Sequence, residues 1–112
     1  MPFGGFKLST QQTNGVAHVS LEGDFDLAAA DKFEREVQSL EAGKPQTIVI
    51  DLRRVEFIDS TGLQLILKAD ARSRQNGFRL AIVRGPANVQ RVFRITGMDE
   101  YLPMVDDPPA AG

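Results

Sequence analysis

Apolar residues alternate with polar ones in the first part of the chain, over residues 6–10 and again over residues 17–22. A period of two predicts strands with one buried face. Asn14-Gly15 lies between the two segments and favours a tight turn. The pattern therefore predicts an N-terminal β-hairpin.

The spacing of apolar positions then changes to three and four, which is typical of one face of a helix. The positions concerned are Ala30, Phe33, Val37 and Leu40. Asp26 is the expected N-cap of this helix, and Gly43 is expected to end it. Residues 47–52 are nearly all apolar, which predicts a central strand that is covered on both faces.

The second half of the chain repeats this succession of helix and strand. A helix is predicted from about Gly62 to Gln75, and residues 78–83 form the next predicted strand. Pro86 is placed in the first turn of a third helix that stops at Gly97, and residues 102–105 predict a short last strand. The apolar face expected for the second helix consists of Leu63, Ile66, Leu67 and Ala71.

The order of elements, ββαβαβα(β), predicts an α/β domain. Strand–helix–strand units favour parallel pairing, and the opening hairpin adds an antiparallel pair. We expect a mixed sheet of four to five strands with three to four helices packed against it. Residues 1–106 form the predicted domain, and residues 107–112, which contain no core residues, form a predicted disordered tail.

Composition narrows the classes of function. The 112 residues are 42% hydrophobic and carry a net charge of −2, so no basic stripe indicates a nucleic-acid partner. The chain contains no cysteine and one histidine, which argues against thiolate chemistry and a protein zinc site. No cofactor and no metal are predicted. Without a membrane-length apolar run or a signal-peptide pattern, we expect a cytoplasmic protein that does not act at a membrane.

The segment Asp59-Ser60-Thr61-Gly62-Leu63 places a carboxylate and two hydroxyls where a buried strand passes into the second helix. Thr61 and Gln64 have capping-box spacing, which predicts Thr61 as the N-cap and leaves Ser60 just outside the helix. A hydroxyl beside the positive end of a helix dipole can carry a phosphate. Spacing alone favours the plainer interpretation, in which Ser60 is a loop hydroxyl that assists the cap.

The same segment resembles a known family. Phe57-Ile58 followed by DSTGL, with Glu22-Gly23-Asp24-Phe25-Asp26 about thirty residues earlier, is similar to the STAS domains of bacterial anti-sigma factor antagonists. The resemblance extends to GMDEYLPMV near the end of the chain. It implies the STAS fold, a non-enzymatic protein, and Ser60 as the phosphorylated residue. Gln64 is a departure, because glycine is common there in the family, and its bulk could alter partner choice.

The resemblance also implies the partners. The unphosphorylated protein is expected to bind an anti-sigma factor with serine-kinase activity, which frees a sigma factor. Phosphorylation of Ser60 would end this binding, and a serine phosphatase would restore it, while ATP belongs to the kinase. Alone, the protein is expected to be a monomer. The residues expected to contact the partner are Asp24, Asp26, Asp59, Thr61, Gly62, Leu63 and Leu65.

Leu65 is included because Leu63, Leu65 and Ile66 cannot all lie on one narrow inward face, which makes Leu65 the expected exposed anchor. Two alternatives remain for the chain. One is a non-switching STAS scaffold or accessory subunit, in a stress-signalling assembly or beside a lipid transporter. The other is a phosphotransferase in which Asp24 and Asp26 would form the start of the active-site motif. It is disfavoured, because Ala28 stands where that chemistry needs a hydroxyl residue.

Overall fold

A computed structural model describes residues 5–109, which form a five-stranded mixed sheet with helices on one face. The strands are β1 (Phe6–Thr13), β2 (Val16–Phe25), β3 (Thr47–Ile58), β4 (Arg79–Val83) and β5 (Met104–Val105). The helices are α1 (Ala30–Ala42), α2 (Ser60–Asn76), α3 (Ala87–Ile95) and α4 (Met98–Tyr101), and a 3₁₀ turn (Leu27–Ala29) precedes α1.

The strands lie in the order β1-β2-β3-β4-β5, with β1 antiparallel to β2 and every other neighbouring pair parallel. The turn of the N-terminal hairpin has φ angles of +51° at Asn14 and +82° at Gly15, the left-handed backbone that these two residues tolerate best. The predicted α/β class and the N-terminal hairpin are confirmed.

The main core lies between the sheet and the helices. Ile48, Ile50 and Leu52 of β3 belong to one apolar cluster with the buried residues of α1, α2 and α3. Val49 points to the opposite face and packs with Ala81 and Val83. Both faces of β3 are therefore buried over this stretch, as its continuous apolar sequence predicts.

Three of the four residues predicted to face inward on α2 do so, because Leu63 and Ile66 are buried and Leu67 packs against the core. Leu65 is buried, with 4% exposure, whereas Ala71 is exposed. The buried residues of α2 are Gly62, Leu63, Leu65, Ile66, Ala69, Asp70 and Ser73. Small residues at Gly62, Ala69 and Ser73 leave the helix room to approach the sheet closely, so its inward face is wide enough to include Leu65.

The predicted boundary between the domain and the tail lies at Asp106, which still contacts the domain. Asp106 is ion-paired with Arg84 at 2.9 Å between Oδ1 and Nη1. Residues 110–112 of the predicted tail lie outside the described residues, and the boundary at residue 106 stays a prediction.

Asp51 of β3 is a buried carboxylate on the sheet face opposite the helices, with 5% exposure. Burial alone would raise its pKa, but hydrogen bonds from the Arg53 side chain and backbone, and from His18, hold the pKa below its ordinary value. The Arg53 Nη2 atom lies 2.7 Å from Asp51 Oδ2, and the His18 Nε2 atom lies 3.0 Å from the same oxygen.

This arrangement predicts a loss of stability in acid. A carboxyl group with a lowered folded-state pKa stabilises the fold above its unfolded-state pKa of about 3.9, and this contribution disappears as the pH falls through the folded-state value. We expect the free energy of unfolding of the Asp51→Asn variant to fall less steeply below about pH 4 than that of the wild type. Urea denaturation followed by circular dichroism measures both slopes. Equal slopes would contradict the prediction.

Candidate functional site at the start of helix α2

The ends of two neighbouring strands bring the predicted site residues together. Asp24 pairs with Phe57, and Phe25 pairs with Ile58, in the parallel ladder between β2 and β3. Asp59 follows at once, and Ser60 begins α2. The acidic segment that starts at Asp24 therefore lies beside the start of α2, although the two are more than thirty residues apart in sequence.

Gly62 allows α2 to start this close to β2. A Cβ atom added at Gly62 would clash with the carbonyl oxygen of Phe25 and would lie 2.9 Å from Cγ1 of Ile58. Gly62 is itself buried. We infer that this predicted partner-contact residue acts through packing, because it fixes the distance between the first turn of α2 and the end of β2.

The cap of α2 corrects the prediction for Thr61. The N-cap is Asp59, whose carboxylate accepts a hydrogen bond of 3.1 Å from the backbone N–H of Gly62. Ser60 is consequently the first residue of the helix rather than a residue outside it, and Thr61 is the second. Two caps compete in this sequence, and the ionised carboxylate is the stronger hydrogen-bond acceptor.

Ser60 is exposed, and within residues 5–109 its hydroxyl makes no hydrogen bond. The cap is provided by Asp59, so the fold does not need the Ser60 hydroxyl. The first turn of α2 presents backbone N–H groups and the positive end of the helix dipole beside this hydroxyl. An oxyanion attached to Ser60 would be stabilised there within the domain.

Three carboxylates lie on the segments that meet at the start of α2. Asp26 caps the 3₁₀ turn by accepting a hydrogen bond of 3.1 Å from Ala28 N–H, and Asp24 and Asp59 are, like Asp26, partly exposed. Asp26 thus has the capping role that its sequence position predicts, although it caps the 3₁₀ turn ahead of α1. Among the described residues no group of acidic and histidine side chains has the arrangement of a metal site.

The prediction that Leu65 is an exposed anchor is wrong, because its side chain lies in the main core. Leu63, another predicted contact residue, is buried in the same core. The exposed apolar side chains on the segments that meet here are Leu27, with 72% exposure, and Phe57, with 49%. We define the Ser60 surface by the six residues that the two strand ends bring together: Asp24, Asp26, Leu27, Phe57, Asp59 and Ser60.

Local irregularities explain why Leu27 and Phe57 point outward. The β2–β3 register passes from Gly23 opposite Val55 to Asp24 opposite Phe57, so Glu56 is an extra residue in β3. This bulge leaves Glu56 and Phe57 exposed between the buried Val55 and Ile58. Leu27 stands three residues before Ala30, and it would point inward if α1 extended back to it. It lies instead in the 3₁₀ turn and points outward.

No helix within residues 5–109 is both long enough and apolar enough to span a bilayer.

Comparisons with known proteins give a consistent picture. The STAS domain family matches residues 7–111. The anti-sigma-F factor antagonist RsfB of Mycobacterium tuberculosis is 33% identical over 87 residues, which cover 78% of this chain and 70% of RsfB. An anti-sigma factor antagonist from Mycobacterium paratuberculosis, solved by crystallography, superposes with a TM-score of 0.80 at 27% identity, covering 92% of this chain and 87% of that one.

SpoIIAA of Bacillus shares the fold at 22% identity. Its unphosphorylated form superposes with a TM-score of 0.76 and covers 93% of this chain and 89% of SpoIIAA. Its phosphorylated form superposes with a TM-score of 0.70 and covers 93% and 92%.

Proposed function

This chain belongs to the STAS domain family, and on that premise we propose that it is an anti-sigma factor antagonist controlled by phosphorylation of Ser60. Unphosphorylated, it binds an anti-sigma factor that is also a serine kinase, and a sigma factor is released. Phosphorylation of Ser60 ends the binding, and a serine phosphatase reverses it. The proposed place of action is the cytoplasm, and the unbound protein is proposed to be a monomer.

The observation that carries this proposal is the position of Ser60. Its hydroxyl is exposed at the first residue of α2 and is not used as the helix cap, since Asp59 has that role. A kinase can therefore modify Ser60 without removing an interaction that holds the fold. The relatives named as anti-sigma factor antagonists support the assignment of the partner class.

Charge provides the mechanism of release. A phosphoserine adds about −1.5 to −2 charges at neutral pH beside the carboxylates of the Ser60 surface. Within the domain, the N-terminus of α2 offsets part of this charge. A partner surface that fits the neutral serine has no positive charge to offset the phosphate, and binding would require the phosphate to lose its hydration. A thousandfold loss of affinity requires only about 4 kcal/mol.

In this proposal the chain itself is not an enzyme. Phosphoryl transfer is assigned to the kinase, which binds ATP, and hydrolysis is assigned to the phosphatase. The carboxylates of Asp24 and Asp26 act as charges on a binding surface, and Asp26 also caps the 3₁₀ turn.

Intact-mass spectrometry tests the proposal directly. The wild type, Ser60→Ala and Thr61→Ala are incubated with ATP and each candidate anti-sigma kinase of the host. We expect one phosphate on the wild type and on Thr61→Ala, and none on Ser60→Ala. A phosphate on Ser60→Ala would show that the kinase modifies a residue other than Ser60. No phosphate on any protein would favour the non-switching scaffold.

A further inference from the structure

A concave trough of about 840 Å³ lies along β1, the edge strand, and is lined by residues of β1, β2 and β3 and by Lys32 of α1. Ser9 lies opposite Ser20, and Ser20 lies opposite Asp51, so these residues of β1, β2 and β3 form a row across the sheet. Lys7, Arg53 and Arg54 also line the trough. A volume of this size is within the range of small-molecule sites, roughly 300–1,000 Å³.

The trough has the opposite charge to the whole chain. Its lining contains four cationic side chains (Lys7, Lys32, Arg53 and Arg54) and two carboxylates (Glu22 and Asp51), whereas the chain has a net charge of −2. The ion pair of Arg54 with Glu22 is long, at 3.7 Å, and lies between exposed side chains. Such an ion pair contributes little to stability and leaves the Arg54 guanidinium available to bind another anion.

Arg53 is held in position by a buried group. Its Nε and Nη2 atoms donate to the two Asp51 carboxylate oxygens at 3.0 and 2.7 Å, and Asp51 also accepts the Arg53 backbone N–H at 3.0 Å. Within residues 5–109, the remaining Nη1 group makes no hydrogen bond. Asp51 therefore fixes a guanidinium that still has donors to offer, which lowers the entropy cost of binding an oxyanion.

We propose that the trough binds a small phosphorylated molecule. Arg53 and Arg54 contact the phosphate, the hydroxyls of Ser9 and Ser20 donate further hydrogen bonds, and Lys7 adds a mobile charge at the edge. Planar guanidinium groups suit phosphate better than ammonium groups because they donate in pairs. This site is separate from the Ser60 surface and does not depend on the function proposed for it.

The test is a titration of the ¹⁵N-labelled full chain with inorganic phosphate, followed by ¹H–¹⁵N NMR at constant ionic strength. We expect saturable shifts centred on Ser9, Ser20 and Arg53, with half-saturation at about 1 mM or below. Acetate in a parallel titration distinguishes phosphate from carboxylate recognition, and we expect it to bind at least tenfold more weakly.

Arg54→Gln is the informative variant, because Arg54 is exposed and its loss leaves the Asp51–Arg53 contact in place. We expect it to weaken phosphate binding at least fivefold, and Lys7→Gln combined with Arg54→Gln to abolish it. Arg91→Gln, an exposed change on α3, is the matched control and should bind as the wild type does. Shifts that rise linearly, that centre on the start of α2, or that persist in the double variant would overturn the proposal.

Discussion

Ser60→Ala is expected to bind the anti-sigma partner as tightly as the unphosphorylated wild type and to remain bound when ATP is added. The side chain is exposed and makes no hydrogen bond within residues 5–109, so its removal costs the fold little. Wild type phosphorylated at Ser60 should lose about a thousandfold in affinity, equivalent to about 4 kcal/mol. Ser60→Asp should lose only about ten- to a hundredfold, because a carboxylate has less charge and fewer acceptor oxygens than a phosphate.

Isothermal titration calorimetry with the isolated anti-sigma factor, in the presence and absence of ATP, measures these differences. Thr61→Ala is the matched control, since Thr61 is the neighbouring hydroxyl and does not cap the helix. It should still be phosphorylated and released when ATP is added, as the wild type is. Weak binding by a folded Ser60→Ala protein would contradict the proposed switch, because the hydroxyl would then be a contact rather than only a site of modification.

The strand-to-helix connection that contains Ser60 could be predicted from sequence because local patterns determine it. The apolar run before Asp59 and the helical spacing after it define a strand-to-helix connection, and only the choice of cap was wrong. Asp59 and Thr61 both have side chains that can cap a helix, and they stand two residues apart. The backbone at Asp59 is extended, with φ −116° and ψ −171°, which starts the helix at Ser60. Spacing alone cannot choose between two competent caps.

The exposed apolar residues could not be predicted in the same way, because they depend on contacts between distant segments. Phe57 points outward because of a bulge in β3, and that bulge is defined by the register of β3 against β2. Leu65 is inward because α2 approaches the sheet through Gly62, where a side chain would collide with Phe25. Neither the strand register nor the helix-to-sheet distance is contained in the periodicity of one segment.

Leu27→Ala and Phe57→Ala are each expected to weaken binding of the unphosphorylated protein to its anti-sigma partner by about ten- to a hundredfold. Central apolar side chains of an interface commonly contribute about 1–3 kcal/mol when they are covered by the partner. Because Leu27 is largely exposed in the free domain, its replacement should change the free energy of unfolding by less than about 0.5 kcal/mol, whereas replacement of the half-buried Phe57 should lower it by about 1–2 kcal/mol. Calorimetric titration and urea denaturation measure the two effects separately.

Ile95→Ala and Leu65→Ala are the matched controls. Ile95 is as exposed as Leu27, at 72%, but lies at the end of α3 and outside the Ser60 surface, so its replacement should leave binding unchanged. Leu65 is in the core, and its replacement should lower the free energy of unfolding by about 2–5 kcal/mol. If Leu27→Ala and Ile95→Ala bind alike, exposure alone does not identify the contact, and the partner must bind elsewhere. A loss confined to Leu27→Ala and Phe57→Ala would place the partner over the Ser60 surface, where a phosphate on Ser60 could displace it.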